Sequence, residues 1–169
     1  MYLAPRPQMS GTLRGISGGN AGVWQTVRAM RRLVNDSRTN LDLRQTATSV
    51  VFLCPPKDEI AEARAIFDFV QSHIRYTKDI HGVETLSSPE ITLAGRVGDC
   101  DDQATLLATL FECVGYPTRF VVAGYTSGEL EHVFLQVFAG GDWIDCDPTE
   151  RNPMGWAPPG AVVTHTEKV

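Results

Sequence analysis

The chain of 169 residues is as informative for what it lacks as for what it holds. It has four cysteines, Cys54, Cys100, Cys113 and Cys146, but no Cys-x-x-Cys pair. A chain of this length also needs no covalent staple, so free thiols are expected and a disulfide scaffold is not. No apolar run approaches the ~20 residues of a membrane span. The opening Met1-Tyr2-Leu3-Ala4-Pro5-Arg6-Pro7 has no apolar stretch of the secretory kind. A reducing, cytoplasmic location with no membrane partner is the expectation. The glycines between Gly15 and Gly22 follow no strand and precede no Gly-Lys-Ser/Thr, which excludes a phosphate loop. Internal repeats are absent.

Charge is unevenly spread. The net formal charge is −5, yet residues 1–50 hold seven Arg against two Asp, with no Lys or Glu. The rest of the chain is correspondingly acidic. Docking of the N-terminal helices on an acidic body is the expected consequence, and contact with a protein partner through this basic segment is the alternative. Nucleic acid is not expected, because no binding motif is present and no aromatics are interleaved with the arginines.

With 43% hydrophobic residues the chain can bury a core. Residues 1–22, rich in Gly, Pro and Ser, read as a flexible or draped arm. Val23, Val27, Met30 and Val34 repeat at helical spacing and predict a helix over 23–35. A weaker helix is expected over 39–53, ended by Pro55-Pro56. The clearest helix is 57–74, with Ile60, Ala63, Ile66, Phe67, Val70 and Ile74 on one stripe. Residues 75–98 read as irregular. An amphipathic helix follows over 100–114, stopped by Gly115 and Pro117. The period then changes to two. Arg119–Tyr125, His132–Phe138 and Asp142–Cys146 read as an antiparallel meander, and the tail after Thr149 as irregular. Helices followed by strands predict an α+β domain with helices packed on an antiparallel sheet. The expected divisions are an arm and helical extension (1–54), a catalytic core (55–150) and a tail (151–169).

Cys100 carries the chemistry of this pattern. It opens a helix in Gly98-Asp99-Cys100-Asp101-Asp102, where unpaired backbone amides and the macrodipole favour a thiolate. The three aspartates oppose that charge, so an imidazolium partner is needed. His132, leading a strand, is the candidate base and acid. An acceptor must orient it. Asp147, at the strand exit before Pro148, is the first choice and Asp145 the second, since alternation points both the same way. The Cys100 N–H can supply one oxyanion donor. Tyr76, Arg96 and Gln103 remain open for the second. Cys54, Cys113 and Cys146 read as packing residues. His73, His81 and His165 have no comparable partners, and Trp24 and Trp156 suit either the core or a partner surface. A metal site built from Cys100, His132, Cys146 and nearby aspartates lacks a local ligand pair. Asp145-Cys146-Asp147-Pro148-Thr149 also matches Asp-x-Asp-x-Thr of aspartyl-phosphate phosphatases, but the α/β domain those enzymes need after the motif has no room here.

Gly98-Asp99-Cys100, His132-Val133 and Asp147-Pro148-Thr149 together resemble the transglutaminase-like superfamily, within the papain-like fold class. Ile74-Arg75-Tyr76, Gly115-Tyr116-Pro117-Thr118-Arg119 and Trp143 extend the similarity over roughly residues 57–150. The resemblance implies Cys100 as nucleophile, His132 as base and acid, and Asp147 as orienter. It implies a peptidase, amidase or acyl transferase acting on a protein or peptide through a thioester, without a cofactor. Compact members also occur in bacteriophages and prophages, so such an origin fits. A non-catalytic module that keeps the fold and acts as a structural or accessory protein is the competing expectation.

Overall fold

The computed structural model describes residues 19–78, 85–126 and 129–169. Most of the glycine-rich arm and His81 lie outside the described residues. Three helices come first, the second and third with side-chain caps. Helix α1 (Asn20–Ser37) buries Val27, Met30 and Val34, the stripe expected from the sequence apart from half-buried Val23. Helix α2 (Leu41–Val51) begins where the Asn40 side chain accepts the N–H groups of Asp42 and Leu43. Helix α3 (Glu59–His73) starts at Asp58, whose carboxylate accepts from the Ala61 N–H.

The stretch 75–98 is not irregular. It forms two short parallel strands, β1 (Arg75–Tyr76) and β2 (Val97–Gly98), with helix α4 (Pro89–Gly95) between them. Helix α4 has Pro at its first turn and ends at Arg96 in the left-handed region (φ 55°). The pairing Tyr76↔Gly98 ties the end of α3 to the residues just before Cys100.

Helix α5 (Cys100–Cys113) is the axis of the molecule. Expected to be amphipathic, it is buried at every residue from Asp102 to Phe111. Helices α1–α4 pack around it on one side and the sheet on the other. Most of its buried polar groups find partners. Thr105 and Thr109 donate to carbonyls one turn back, Asp102 accepts the Ser87 N–H, and Gln103 donates to the Gly98 carbonyl.

The sheet contains β3 (Thr118–Gly124), β4 (His132–Ala139), β5 (Asp142–Cys146) and β6 (Val163–Lys168), in the order β5-β4-β3-β6, antiparallel throughout. The meander β3-β4-β5 matches the expectation. The β4–β5 turn has Gly140 and Gly141 both at positive φ, the geometry a tight hairpin requires. Strand β6 corrects the reading of the tail as irregular, since residues 163–168 complete the sheet beside β3. One core runs through α1, α2, α3, α5 and the inner face of β3–β4, from Val27 and Leu43 to Phe111 and Leu135. The N-terminal helices therefore dock mainly by apolar contact. Arg31 of α1 also reaches Glu167 of β6 at 3.1 Å, an exposed pair of small energetic weight.

Gly98 has no room for a side chain. A Cβ there would lie 2.7 Å from the Asp102 Cβ and 3.2 Å from the Thr92 Cγ2. Gly98→Ala is therefore expected to cost about 1–3 kcal/mol by overpacking at the α5 entry. Urea unfolding checks this; an unchanged midpoint would contradict the packing described.

Candidate active site

Cys100 is the first residue of α5, after Asp99, whose side chain accepts the Asp102 N–H at 3.0 Å. The cap explains why the helix begins here. The sulfur faces the start of β4, with the backbone N–H of Val133 near enough to favour its thiolate form. The β4–β5 ladder ends at Leu135↔Cys146, so the Val133 amide lies beyond the paired stretch. His132, one residue earlier, lines the same cavity of about 180 Å³ as Cys100, with Val23, Val27 and Leu130 as apolar walls.

His132 Nε2 and Asp147 Oδ2 are 2.7 Å apart, and the Asp147 side chain is fully buried. Thr149 donates both its hydroxyl (2.6 Å) and its N–H (3.1 Å) to the other carboxylate oxygen. Asp145 has a different role. Its carboxylate accepts from Gln136 at 2.7 Å, and Gln136 accepts from Arg119, whose guanidinium lies over the Trp143 ring. Alternation could not separate the two aspartates because β5 stops at Cys146; Asp147 lies past the strand and turns toward β4. With Nε2 engaged, Nδ1 of His132 is the ring nitrogen available to other partners.

The charges around the thiol act as the sequence suggested. Burial pushes the Cys100 thiol well above its usual range, Asp101 and Asp99 push it further, and only the Val133 N–H draws it down. The thiol donates to Asp101 Oδ1 at 3.5 Å. The resting sulfur is therefore protonated. At Asp147 burial would raise the carboxyl, but the hydrogen bond and charge of His132 and the two donors of Thr149 outweigh it and hold the group below 3.8.

Of the three candidates for a second oxyanion donor, Gln103 turns inward. It is wholly buried, donates to Gly98 and leaves its Oε1 without a partner among the described residues. Arg96 lines another cleft, with Asp42 and His73. Tyr76 pairs with Gly98, two residues before the thiol, and its phenol is raised first by burial and then by the charges of Cys100, Asp99, Asp101 and Asp147. His73 stacks on Phe69, and His165 meets the edge of Trp24. Cys146 is a buried core residue, while Cys54 and Cys113 are half-buried. Sequence reasoning left Trp156 unassigned. It lines a second cleft against His132 and Asp147, and its position after Pro153 gave no signal of this.

The sequence profile of the transglutaminase-like superfamily matches residues 44–148. This chain belongs to the transglutaminase-like superfamily. Solved structures share its fold at low identity. LapG from Legionella pneumophila, in a calcium-bound form, is 19% identical with a TM-score of 0.54 over 80% of each chain. A Parabacteroides distasonis protein described as a candidate protease is 12% identical, TM-score 0.60, over 76% of this chain and 26% of its own. A Cytophaga hutchinsonii protein described as a candidate cysteine protease is 19% identical, TM-score 0.53, over 76% and 50%. The chain thus spans about a quarter and one half of the length of the last two. No curated protein matches it. Among the described residues no helix of this superfamily member is long and apolar enough to cross a membrane.

Because Asp147 titrates lower in the folded chain than in the unfolded one, it stabilises the fold above pH ~4, and that contribution fades as pH falls through the folded value. Thr149→Val removes one donor to the carboxylate. It is expected to cost about 1–2 kcal/mol at pH 7 and clearly less at pH 3. Urea unfolding at both pH values tests this; a cost that does not shrink in acid would assign the loss to packing.

Proposed function

We propose that this protein is a cysteine-dependent amide hydrolase or acyl transferase acting on protein or peptide substrates. The observation that carries the reading is the juxtaposition at one end of β4: the Cys100 sulfur against the Val133 N–H, and the adjacent His132 bonded to buried Asp147. In this reading the sulfur attacks a carbonyl carbon as its proton passes to Nδ1 of His132. The developing oxyanion takes the Cys100 N–H, with the Tyr76 hydroxyl nearby. Collapse breaks the C–N bond, the proton moves from His132 to the leaving amine, and a thioester remains on Cys100. Water or a second amine then releases the acyl group. Asp147 holds the ring in the tautomer and orientation this sequence requires.

The raised thiol fits this order of events. A sulfur kept protonated at rest is activated by transfer to imidazole during attack, rather than stored as a thiolate. Fold and family support a peptidase-like activity; the triad roles are inferred from the geometry above.

The test is activity profiling of the full chain on peptide, glutamine-amide and cell-wall amide substrates. Cys100→Ala is expected to fold normally and lose turnover by a factor on the order of 10⁴ or more. His132→Ala is expected to lose about 10²–10⁴-fold. Equal activity in wild type and Cys100→Ala would reject the assignment. Absence of turnover on every class, with Cys100 alkylated by iodoacetamide no faster than Cys54 or Cys113 between pH 6 and 9, would favour a non-catalytic module.

A further inference from the structure

Two cavities meet at His132. One holds Cys100 between apolar Val23, Val27 and Leu130, with Asp99 and Asp101 beside the thiol and Glu131 shared with the second cavity. The other, of about 420 Å³, lies against His132 and Asp147 and does not include Cys100. Its walls are Tyr125, Trp156, Pro158 and Pro159, and Glu131 and Glu150 stand at its exposed edge. Both carboxylates and Asp147 bear electrostatically on Tyr125, after burial, which places them around one opening. Glu131 also accepts the Thr126 hydroxyl at 3.0 Å, which fixes its direction. No Lys or Arg is among the described residues lining either cavity.

The wall is anchored rather than draped. Gln71 of α3 donates to the carbonyls of Glu150 and Asn152 at 2.7 and 2.8 Å. The Gly155 N–H donates to the Asp145 carbonyl at 2.7 Å, and the Trp156 N–H to Pro153. The segment carrying Glu150 and Trp156 is thus tied to both α3 and β5.

Aromatic and proline faces beside carboxylates, with no competing cation, suit a long side chain with an apolar stem and a positive end. The stem lies along the rings, the cation reaches the carboxylates, and the indole adds a cation–π attraction. The side of the scissile bond follows from the reaction. The acyl half stays with Cys100, so its cavity takes that half. The amine half departs past His132, into the second cleft.

We propose, building on the thiol-enzyme reading, that this second cleft is a specificity subsite for a lysine or arginine side chain on the leaving-group side of the scissile amide. Tyr125 and Trp156 grip the stem, and Glu131 and Glu150 take the charge.

Binding is tested without turnover. Full-length Cys100→Ala protein is titrated with the amidated peptide Ala-Ala-Lys-Ala, and with its norleucine counterpart, by tryptophan fluorescence and calorimetry. The lysine peptide is expected to bind at least tenfold more tightly. A Glu131→Gln, Glu150→Gln double variant is expected to lose that preference, and Trp156→Leu the fluorescence response. Equal binding of the two peptides, or a preference unchanged in the double variant, overturns the subsite. In parallel, new N-termini released by wild type from a denatured proteome peptide library are sequenced. Basic residues enriched there support the proposal; cleavage without enrichment overturns it. Lysine-selective binding with no cleavage leaves the subsite standing and counts against the catalytic reading instead.

Discussion

A helix buried around its whole circumference has no freedom to slide, and that constraint on α5 governs the rest of the molecule. Four helices hold it from one side and the sheet from the other, so its first residue comes to a fixed point beneath β4. The Asp99 cap defines where the helix starts, and the side-chain-free Gly98 lets the chain enter closely enough to reach that point. The Tyr76↔Gly98 pairing secures the entry from the α3 side. Close packing thereby does for the sulfur what a flexible loop would not: it sets position to the precision that attack on a carbonyl demands.

Electrostatics at this point work in two directions. Burial and the carboxylates of Asp101 and Asp99 raise the Cys100 thiol and disfavour a resting thiolate. At Asp147 three donated hydrogen bonds overcome burial and keep a negative charge inside the protein. That buried charge orients His132 and would stabilise an imidazolium formed during reaction. The site thus stores its charge on the orienting residue and leaves the nucleophile neutral.

Much of the scaffold was legible in the sequence because burial imposes a period. Val27, Met30 and Val34 mark α1, Ile66, Phe67 and Val70 mark α3, and short β-rich apolar runs bounded by turn residues mark β3 and β4. Other elements lack that signature. Strand β6 is an edge strand whose residues Thr164, His165 and Thr166 are exposed, so no apolar alternation exists to be read. Strands β1 and β2 have two residues each, too few for any period. Helix α4 spans seven residues, and its signals, Pro89 at the start and Gly95 at the end, outweigh its pattern. At the site, order and residue type pointed to Cys100, His132 and Asp147, with Asp147 preferred for its place past the strand end at Cys146; alternation left Asp145 open, and only the folded contacts, His132 to Asp147 and Gln136 to Asp145, separate the two. The second cleft was invisible because Tyr125, Glu131, Glu150 and Trp156 come from separate stretches that only folding joins.

The central claim is that the Cys100 sulfur and the His132 ring are neighbours. It is tested most directly by NMR of the histidine rings before and after Cys100 is capped as a methyl disulfide. The account predicts that capping shifts the His132 ring resonances, while those of His73 and His165 stay where they were. His132 resonances that are identical in free and capped protein would contradict it.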